Sequence, residues 1–419
     1  MLLRVTNTPR DYAWGSRTAI ARLTGRTPSG RPEAELWLGA HPLCPSRVVD
    51  PDRAGGHATL DAWIAADPAR ALGADRASDE LPFLLKVVAA EAPLSIQVHP
   101  DAVRARQGYD DENRRDVPLT SPARVYRDAR HKPELALALD GPFDALVGFR
   151  PLGATRRLVA ELAGAAQEHE LTGTDRLARL LRTLDDAVGG GTSAGGDGDH
   201  EPVLRRLVGR LLAGDEDAGH LLPVVTEAAR KAPRGHGLDA ELDTLVDLAA
   251  ERPGDAGILV ALLLNRVTLR PGEAVYLPPG TVHAYLRGIA VEVMAASDNV
   301  VRAGLTDKHV DVTELQRLAT FRVTGDPRLA PVRTADGAEL FDPGVPDFSL
   351  ATVAAPDAGR ARVGLAGPAI ALALEGEVRV AGQHEAAVLR AGESVFVTPD
   401  ERTLAVTGRG RLAVAGSVT

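Results

Sequence analysis

Leu269-Arg270-Pro271-Gly272-Glu273-Ala274-Val275-Tyr276-Leu277-Pro278-Pro279-Gly280 and Leu389-Arg390-Ala391-Gly392-Glu393-Ser394-Val395-Phe396-Val397-Thr398-Pro399-Asp400 carry one pattern twice in this chain. Each reads as a turn, a short alternating strand and a second turn, because Gly and Pro punctuate and the residues between them alternate with period two. Two such stretches in one chain are what two related β-sandwich units look like. Three residues past Gly280 stands His283, whereas the equivalent place in the second copy is Thr403. The first unit is therefore the candidate for chemistry, and the second is expected to be structural and without metal ligands.

Upstream of the first copy, residues 151–265 change character. Arg157 to Leu162, Leu177 to Arg182, Leu204 to Leu212 and Leu242 to Ala250 place apolar residues at helical spacing. The Gly/Ser/Asp-rich stretch Gly189 to Gly198 reads as a surface loop, since it lacks the Lys-Ser/Thr ending of a phosphate-cradling loop. Residues 1–150 read as mostly strands and turns. Leu81 to Val88, Pro93 to His99 and Leu135 to Leu139 are short apolar runs broken by Pro, as in buried strands. Strand character returns at Asn265.

The 419 residues are enough for two or three domains, with 44% hydrophobic and 25% charged residues. A formal net charge of -9 argues against a nucleic-acid-coating surface and leaves room for a local basic pocket. Cys44 is the only cysteine, so no intrachain disulfide forms. The N-terminal residues lack a long apolar segment of the secretory type, and no run of 18 apolar residues appears. The expectation is a cytoplasmic protein with no membrane or nucleic-acid partner. Of 48 basic residues only Lys86, Lys132, Lys231 and Lys308 are lysines. Arg serves almost wherever a generic cation suffices, so a retained Lys marks a place where a compact ammonium or a tunable pKa matters.

Gln97 and His99 are two apart, hence on one face of an extended segment, and Pro100 favours extended backbone at His99. Glu134, in His131-Lys132-Pro133-Glu134, and His283 add a carboxylate and a second imidazole. These four make an N/O set without thiolate that suits one divalent ion such as zinc and leaves space for a substrate oxygen. A second constellation, Val291 to Lys308, follows an apolar strand with Ser, Asp, Asn, Arg and Lys. Its Arg302 and Lys308 suit an anionic group such as a phosphate, one as a fork and one as a point charge.

These segments resemble the type I phosphomannose isomerase family. The likeness runs in order through Asp11-Tyr12-Ala13-Trp14-Gly15, Ala34 to Pro42, Phe83-Leu84-Leu85-Lys86, Gln97-Val98-His99-Pro100, His131-Lys132-Pro133-Glu134, Tyr276-Leu277-Pro278 and Asn299 to Thr306. It covers about three quarters of the chain and leaves the last hundred residues without site residues. The resemblance implies a mainly β chain: a cupin-like jelly-roll catalytic domain from 1–150 and 266–325, an α-helical insertion at 151–265, and a C-terminal β-sandwich domain at 326–419. It implies that one Zn2+ per chain is bound by Gln97, His99, Glu134 and His283, and that Arg302 is an active-site residue. Lys86, Ser95, His131, Lys132, Glu292 and Lys308 fall where the family's pocket is lined, with Trp14 and Glu35 near it. Asp307 departs from the family, where Pro is common.

The implied reaction is the reversible interconversion of mannose 6-phosphate and fructose 6-phosphate through a cis-enediol; the sequence leaves the oligomeric state open, and a monomer is the expectation. It needs a polarised carbonyl, a base moving a proton between C2 and C1, and a cationic phosphate anchor. Glu292 and Lys132 both stand as candidate bases. Two other classes fit the residues less well. An Fe(II) oxygenase needs more open coordination positions than four protein ligands leave. A non-catalytic sugar-phosphate sensor is expected to have lost a ligand or the polar block, and the first unit has both.

Overall fold

A computed structural model of the chain describes residues 1–74, 78–189, 200–213, 216–355 and 361–419. It contains helices and two antiparallel nine-stranded sheets. One sheet runs Val301–Gly304, Ile96–Val98, His283–Ala295, Glu134–Phe149, Ala274–Leu277, Arg328–Leu329. Phe83–Ala90 joins it beside His283–Ala295, Glu35–Leu38 lies outside Phe83–Ala90, and Leu264–Leu269 pairs with Glu134–Phe149. The other sheet is built from the C-terminal strands, with Thr403–Val418 and Ala361–Ala381 at its centre. Leu2–Thr6 crosses to that second sheet, where Leu3 stands opposite Phe396.

Strand alternation decides what each face holds. Leu85, Val87, Leu135, Leu137, Val291 and Val293 point one way and join Ile370, Leu372, Phe396 and Ala413 of the other sheet in one buried cluster. Each such large side chain removed from water contributes about 2 kcal/mol, before conformational entropy is subtracted. The residues between them face the opposite side, where the neighbours are small: Val88, Ala136, Ala138 and Ala290. Lys86, Glu134 and Glu292 occupy that same set of alternate positions. The three charged ones project from this face.

The repeated stretch has a repeated backbone. Gly272 and Gly392 both adopt the left-handed region, at φ 86° and 84°. Arg270 and Arg390 each donate a main-chain N–H to the carboxylate of Glu273 and Glu393, at 2.9 Å in both. Gly272 N–H donates to the Ala138 carbonyl and Gly392 N–H to that of Ala373. The strands that follow, Ala274–Leu277 and Ser394–Val397, lie in different sheets.

Six helices, Leu152–Glu168, Thr174–Gly189, Glu201–Leu212, Glu216–Lys231, Asp239–Glu251 and Gly257–Ala261, occupy the stretch expected to be helical. Their leucines pack against Ile96, Val98, Val301 and Ala303 at the edge of the first sheet. Alternation then turns Gln97 and Arg302 away from the helices, toward the space above the sheet. Strand structure resumes at Leu264, next to the expected Asn265. Gly189 ends a helix, and the remainder of the predicted Gly-rich loop, 190–198, lies outside the described residues. The first 150 residues also hold a helix that the apolar pattern does not announce, Ala102–Arg114. Only Ala105, Gly108 and Glu112 of it are buried, so it carries almost no apolar stripe. Its visible signal is Asp101, whose carboxylate accepts from Arg104 N–H at 2.7 Å as an N-cap.

Candidate metal centre

His99 stands just past the end of Ile96–Val98, Glu134 opens the long strand Glu134–Phe149, and His283 opens His283–Ala295. Their side chains converge, and all three are buried. His99 Nδ1 lies 2.7 Å from the Asn299 carbonyl, and His283 Nδ1 lies 2.9 Å from that of Thr281. A carbonyl only accepts, so Nδ1 carries the proton in both rings and each Nε2 presents a lone pair. The two Nε2 atoms lie 3.4 and 3.2 Å from the two oxygens of Glu134 and have no hydrogen-bond partner. Buried polar atoms left unpaired are costly unless something absent completes them. Two ligand atoms at about 2.1 Å from one tetrahedral ion stand about 3.4 Å apart. The observed spacing and donor set fit such an ion.

The protonation states agree. Burial, then the charge of Lys132, pushes the His99 imidazole down to about 4, so it is neutral at neutral pH. Burial alone would raise the Glu134 carboxyl, but Lys132 and the two imidazoles hold it well below the usual carboxylate range. Gln97 is half-buried and stands opposite His283 on one side and Arg302 on the other.

Beside the ligands lies a second polar layer. Lys132 Nζ is 3.1 Å from Glu134. Lys86 and Glu292 face each other across neighbouring strands and pair at 3.1 Å, both buried. The Tyr285 hydroxyl donates to Glu292 at 2.8 Å. Burial lowers the proton affinity of Lys86, but Glu292, Glu35 and Glu134 more than reverse this and keep it charged. Glu292 is raised by burial, which outweighs the opposing charge of Lys86. Lys86 also lies over the Trp37 ring, whose indole N–H donates to Glu35 at 2.8 Å.

Other predicted residues lie around this centre. Arg302 is half-buried, and burial lowers its proton affinity, followed by the charge of Arg127. Lys308 is exposed and is lowered by burial, Arg302 and Arg127, with Glu35 opposing. Ser95 is half-buried ahead of Ile96–Val98. Trp14 packs against the small-residue face and stacks on Tyr12. His131 turns to Asp347, with its Nε2 2.8 Å from the carboxylate. Sequence reasoning missed Arg127, Trp37, Tyr285 and the hydrogen-bonding role of Asn299. Arg127 carries no signal in a chain that uses Arg almost everywhere. Asn299 was visible only as one polar residue of a polar block.

A model of the family described as phosphomannose isomerase type I, catalytic domain, matches residues 2–152. Mannose-6-phosphate isomerase of Salmonella typhimurium is 36% identical over 422 residues, covering 98% of each chain. The Homo sapiens protein of that name is 33% identical over 366 residues, covering 83% of this chain and 80% of that one. A crystal structure of zinc-bound mannose 6-phosphate isomerase superposes with a TM-score of 0.84 at 34% identity over 99% of both chains. No helix among the described residues is long and apolar enough to cross a membrane. Similarity of this extent, over a chain whose buried imidazoles and carboxylate are arranged for an ion, leads to one conclusion: this chain belongs to the type I phosphomannose isomerase family.

Proposed function

We infer that this chain catalyses the reversible interconversion of D-mannose 6-phosphate and D-fructose 6-phosphate as a zinc-dependent aldose–ketose isomerase. The carrying observation is the pair of unpartnered Nε2 atoms around Glu134, with a buried Lys86–Glu292 pair beside them. Gln97, His99, Glu134 and His283 would hold the ion. When bound, zinc supplies Lewis-acid chemistry that draws electron density from the sugar carbonyl.

The remaining work falls to side chains. Arg302 stabilises the negative charge that develops on the sugar oxygens. Glu292 or Lys132 takes the proton from C2 and returns it to C1 through a cis-enediol. Burial raises the Glu292 carboxyl, the direction that suits a base. Lys132 stands against Glu134, one of the residues that would hold the ion, within reach of a bound sugar. Lys308 is the better phosphate anchor of the two lysines, since Lys86 is committed to Glu292. Ser95, His131, Trp14 and Glu35 complete the pocket walls in this reading.

The proposal includes the architecture: a cupin-like jelly roll from 1–150 and 266–325, a helical insertion at 151–265 and a C-terminal β-sandwich at 326–419, with Leu2–Thr6 lent to the latter's sheet. It also includes a cytoplasmic monomer acting on a small sugar phosphate, without nucleic-acid or membrane partners.

Turnover of mannose 6-phosphate before chelation, after it, and after zinc is restored tests the function. Loss and recovery are expected; no turnover by a folded, zinc-loaded chain refutes it. Lys132→Met and Glu292→Gln separate the bases. Whichever retains near-wild-type turnover with metal bound is not the base.

A further inference from the structure

Three cations act on one another's charge near the metal centre, where Arg302 stands opposite Gln97 and the Arg127 main chain is tied to Asn299. Arg302 and Lys308 belong to the polar block after His283–Ala295, and Arg127 comes from a distant loop. Among the described residues no carboxylate lies within ion-pair distance of any of the three, whereas neighbouring arginines are matched: Arg104 by Glu314, Arg124 by Glu112, Arg130 by Glu80. Arg127 depresses the proton affinity of both Arg302 and Lys308, after burial in each case. Like charges kept together without a counter-ion are arranged for an anion.

The position of Arg127 is built. Asn299 is fully buried. Its side-chain oxygen accepts the main-chain N–H of Arg127 at 2.7 Å and of Asp128 at 3.2 Å. Its amide donates to the carbonyls of Asp128 at 2.9 Å and Arg130 at 2.8 Å. The main-chain oxygen of the same residue accepts from His99 Nδ1. One residue thus anchors a metal ligand and the loop presenting the cation. The Arg127 guanidinium donates once, from Nη1 to the Leu119 carbonyl at 2.8 Å, and has no other partner among the described residues.

We propose that Arg127 is a third phosphate-binding cation of this enzyme, gripping the sugar phosphate together with Arg302 and Lys308 and positioned by Asn299. This rests on the isomerase reading above.

The test uses the zinc-loaded full chain. Steady-state kinetics with mannose 6-phosphate and competitive inhibition by inorganic phosphate are measured for wild type, Arg127→Gln and Arg127→Lys. Losing one charge-assisted contact to a phosphate raises KM and the phosphate inhibition constant about tenfold or more in Arg127→Gln. In that variant kcat moves less, zinc content is unchanged, and Arg127→Lys recovers part of the loss. Asn299→Ala raises the phosphate inhibition constant similarly and adds little on top of Arg127→Gln, as a residue acting through Arg127 must. Unchanged phosphate inhibition in Arg127→Gln overturns the proposal, and a fall in kcat alone would make Arg127 a brace on the Leu119 loop. Absence of turnover in wild type would sink the isomerase reading instead. Calorimetric titration of inorganic phosphate into wild type and Arg127→Gln would still decide the role of Arg127: equal affinity overturns it, weaker binding by the variant sustains it.

Discussion

Opposite Leu277 in its ladder stands Glu134; opposite Val397, the equivalent place in the second turn–strand unit, stands Ala369. His283 opens the strand after the first unit, and Thr403 opens the strand after the second. The turns, their Gly and Glu residues and their hydrogen bonds are the same in both. The second unit therefore lacks two of the candidate ligands although its first turn and strand are the same. Its corner is closed differently. Gly280, at φ 87°, gives way to a short 3-10 turn over Pro399–Glu401 followed by Arg402 at φ 53°. The fully buried Glu401 carboxylate meets the Met1 amine at 2.8 Å. The comparison teaches that the frame is indifferent to function. What makes a metal site is a few polar side chains whose buried atoms remain unsatisfied until an ion arrives.

The sharpest way to break the comparison is to remove one histidine. His283→Ala is expected to cost about 10³-fold or more in turnover, together with bound zinc, because the Lewis acid contributes several kcal/mol. Thr403→Ala should leave zinc content and turnover near wild type. Equal effects of the two, measured by metal analysis and kinetics, would end the distinction between the units.

The converse substitution is Ala369→Glu. Ala369 has no exposure and lies in an apolar cluster with Ala371, Val395, Val397 and Val414. A carboxylate there is expected to lower stability by about 3 kcal/mol or more, read from denaturant unfolding. A neutral outcome would mean that the second unit can host charge as the first does.

The two glycines offer a finer comparison. A Cβ on Gly272 meets nothing within 4 Å, whereas on Gly392 it would lie 2.4 Å from Thr24 Cα. Gly272→Ala should cost about 1–2 kcal/mol, the penalty of the left-handed region alone. Gly392→Ala should cost distinctly more, since backbone must shift. Equal losses in melting experiments would refute this.

The smallest effect concerns His131. Its hydrogen bond to Asp347 raises the imidazole above its ordinary value, with burial opposing. A raised His contributes stability that is fully present below its unfolded pKa of about 6.5 and is lost as pH rises through the folded value. The pair is partly exposed, so the contribution is under about 1 kcal/mol. Asp347→Asn should flatten that part of the stability–pH profile above about pH 6.5, and an unaltered profile would rule the link out.

Much of this was legible in the residues. Apolar runs and helical periodicity placed the strands and the helical stretch within a residue or so at Leu264, because burial imposes those periods directly. Gln97, His99, Glu134 and His283 were named from spacing and resemblance, and three of them meet. The helix Ala102–Arg114 was not legible, since a mostly solvated helix needs no apolar stripe. Nor was the loss of Glu134's counterpart. Thr403 shows in an alignment of the two repeats, but Ala369 becomes an equivalent only through pairing in the sheet.

By itself the sequence determined the repeated turn–strand units, the helical stretch and the residue types able to bind a divalent ion, because each is written in local periodicity or chemistry. Only the tertiary structure decided which nitrogen of each histidine faces Glu134, that Lys86 is held by Glu292, and that Asn299 ties His99 to the loop of Arg127. Those facts depend on contacts between residues far apart in the chain. Burial and strand register fix such contacts, and no short window of sequence contains both partners.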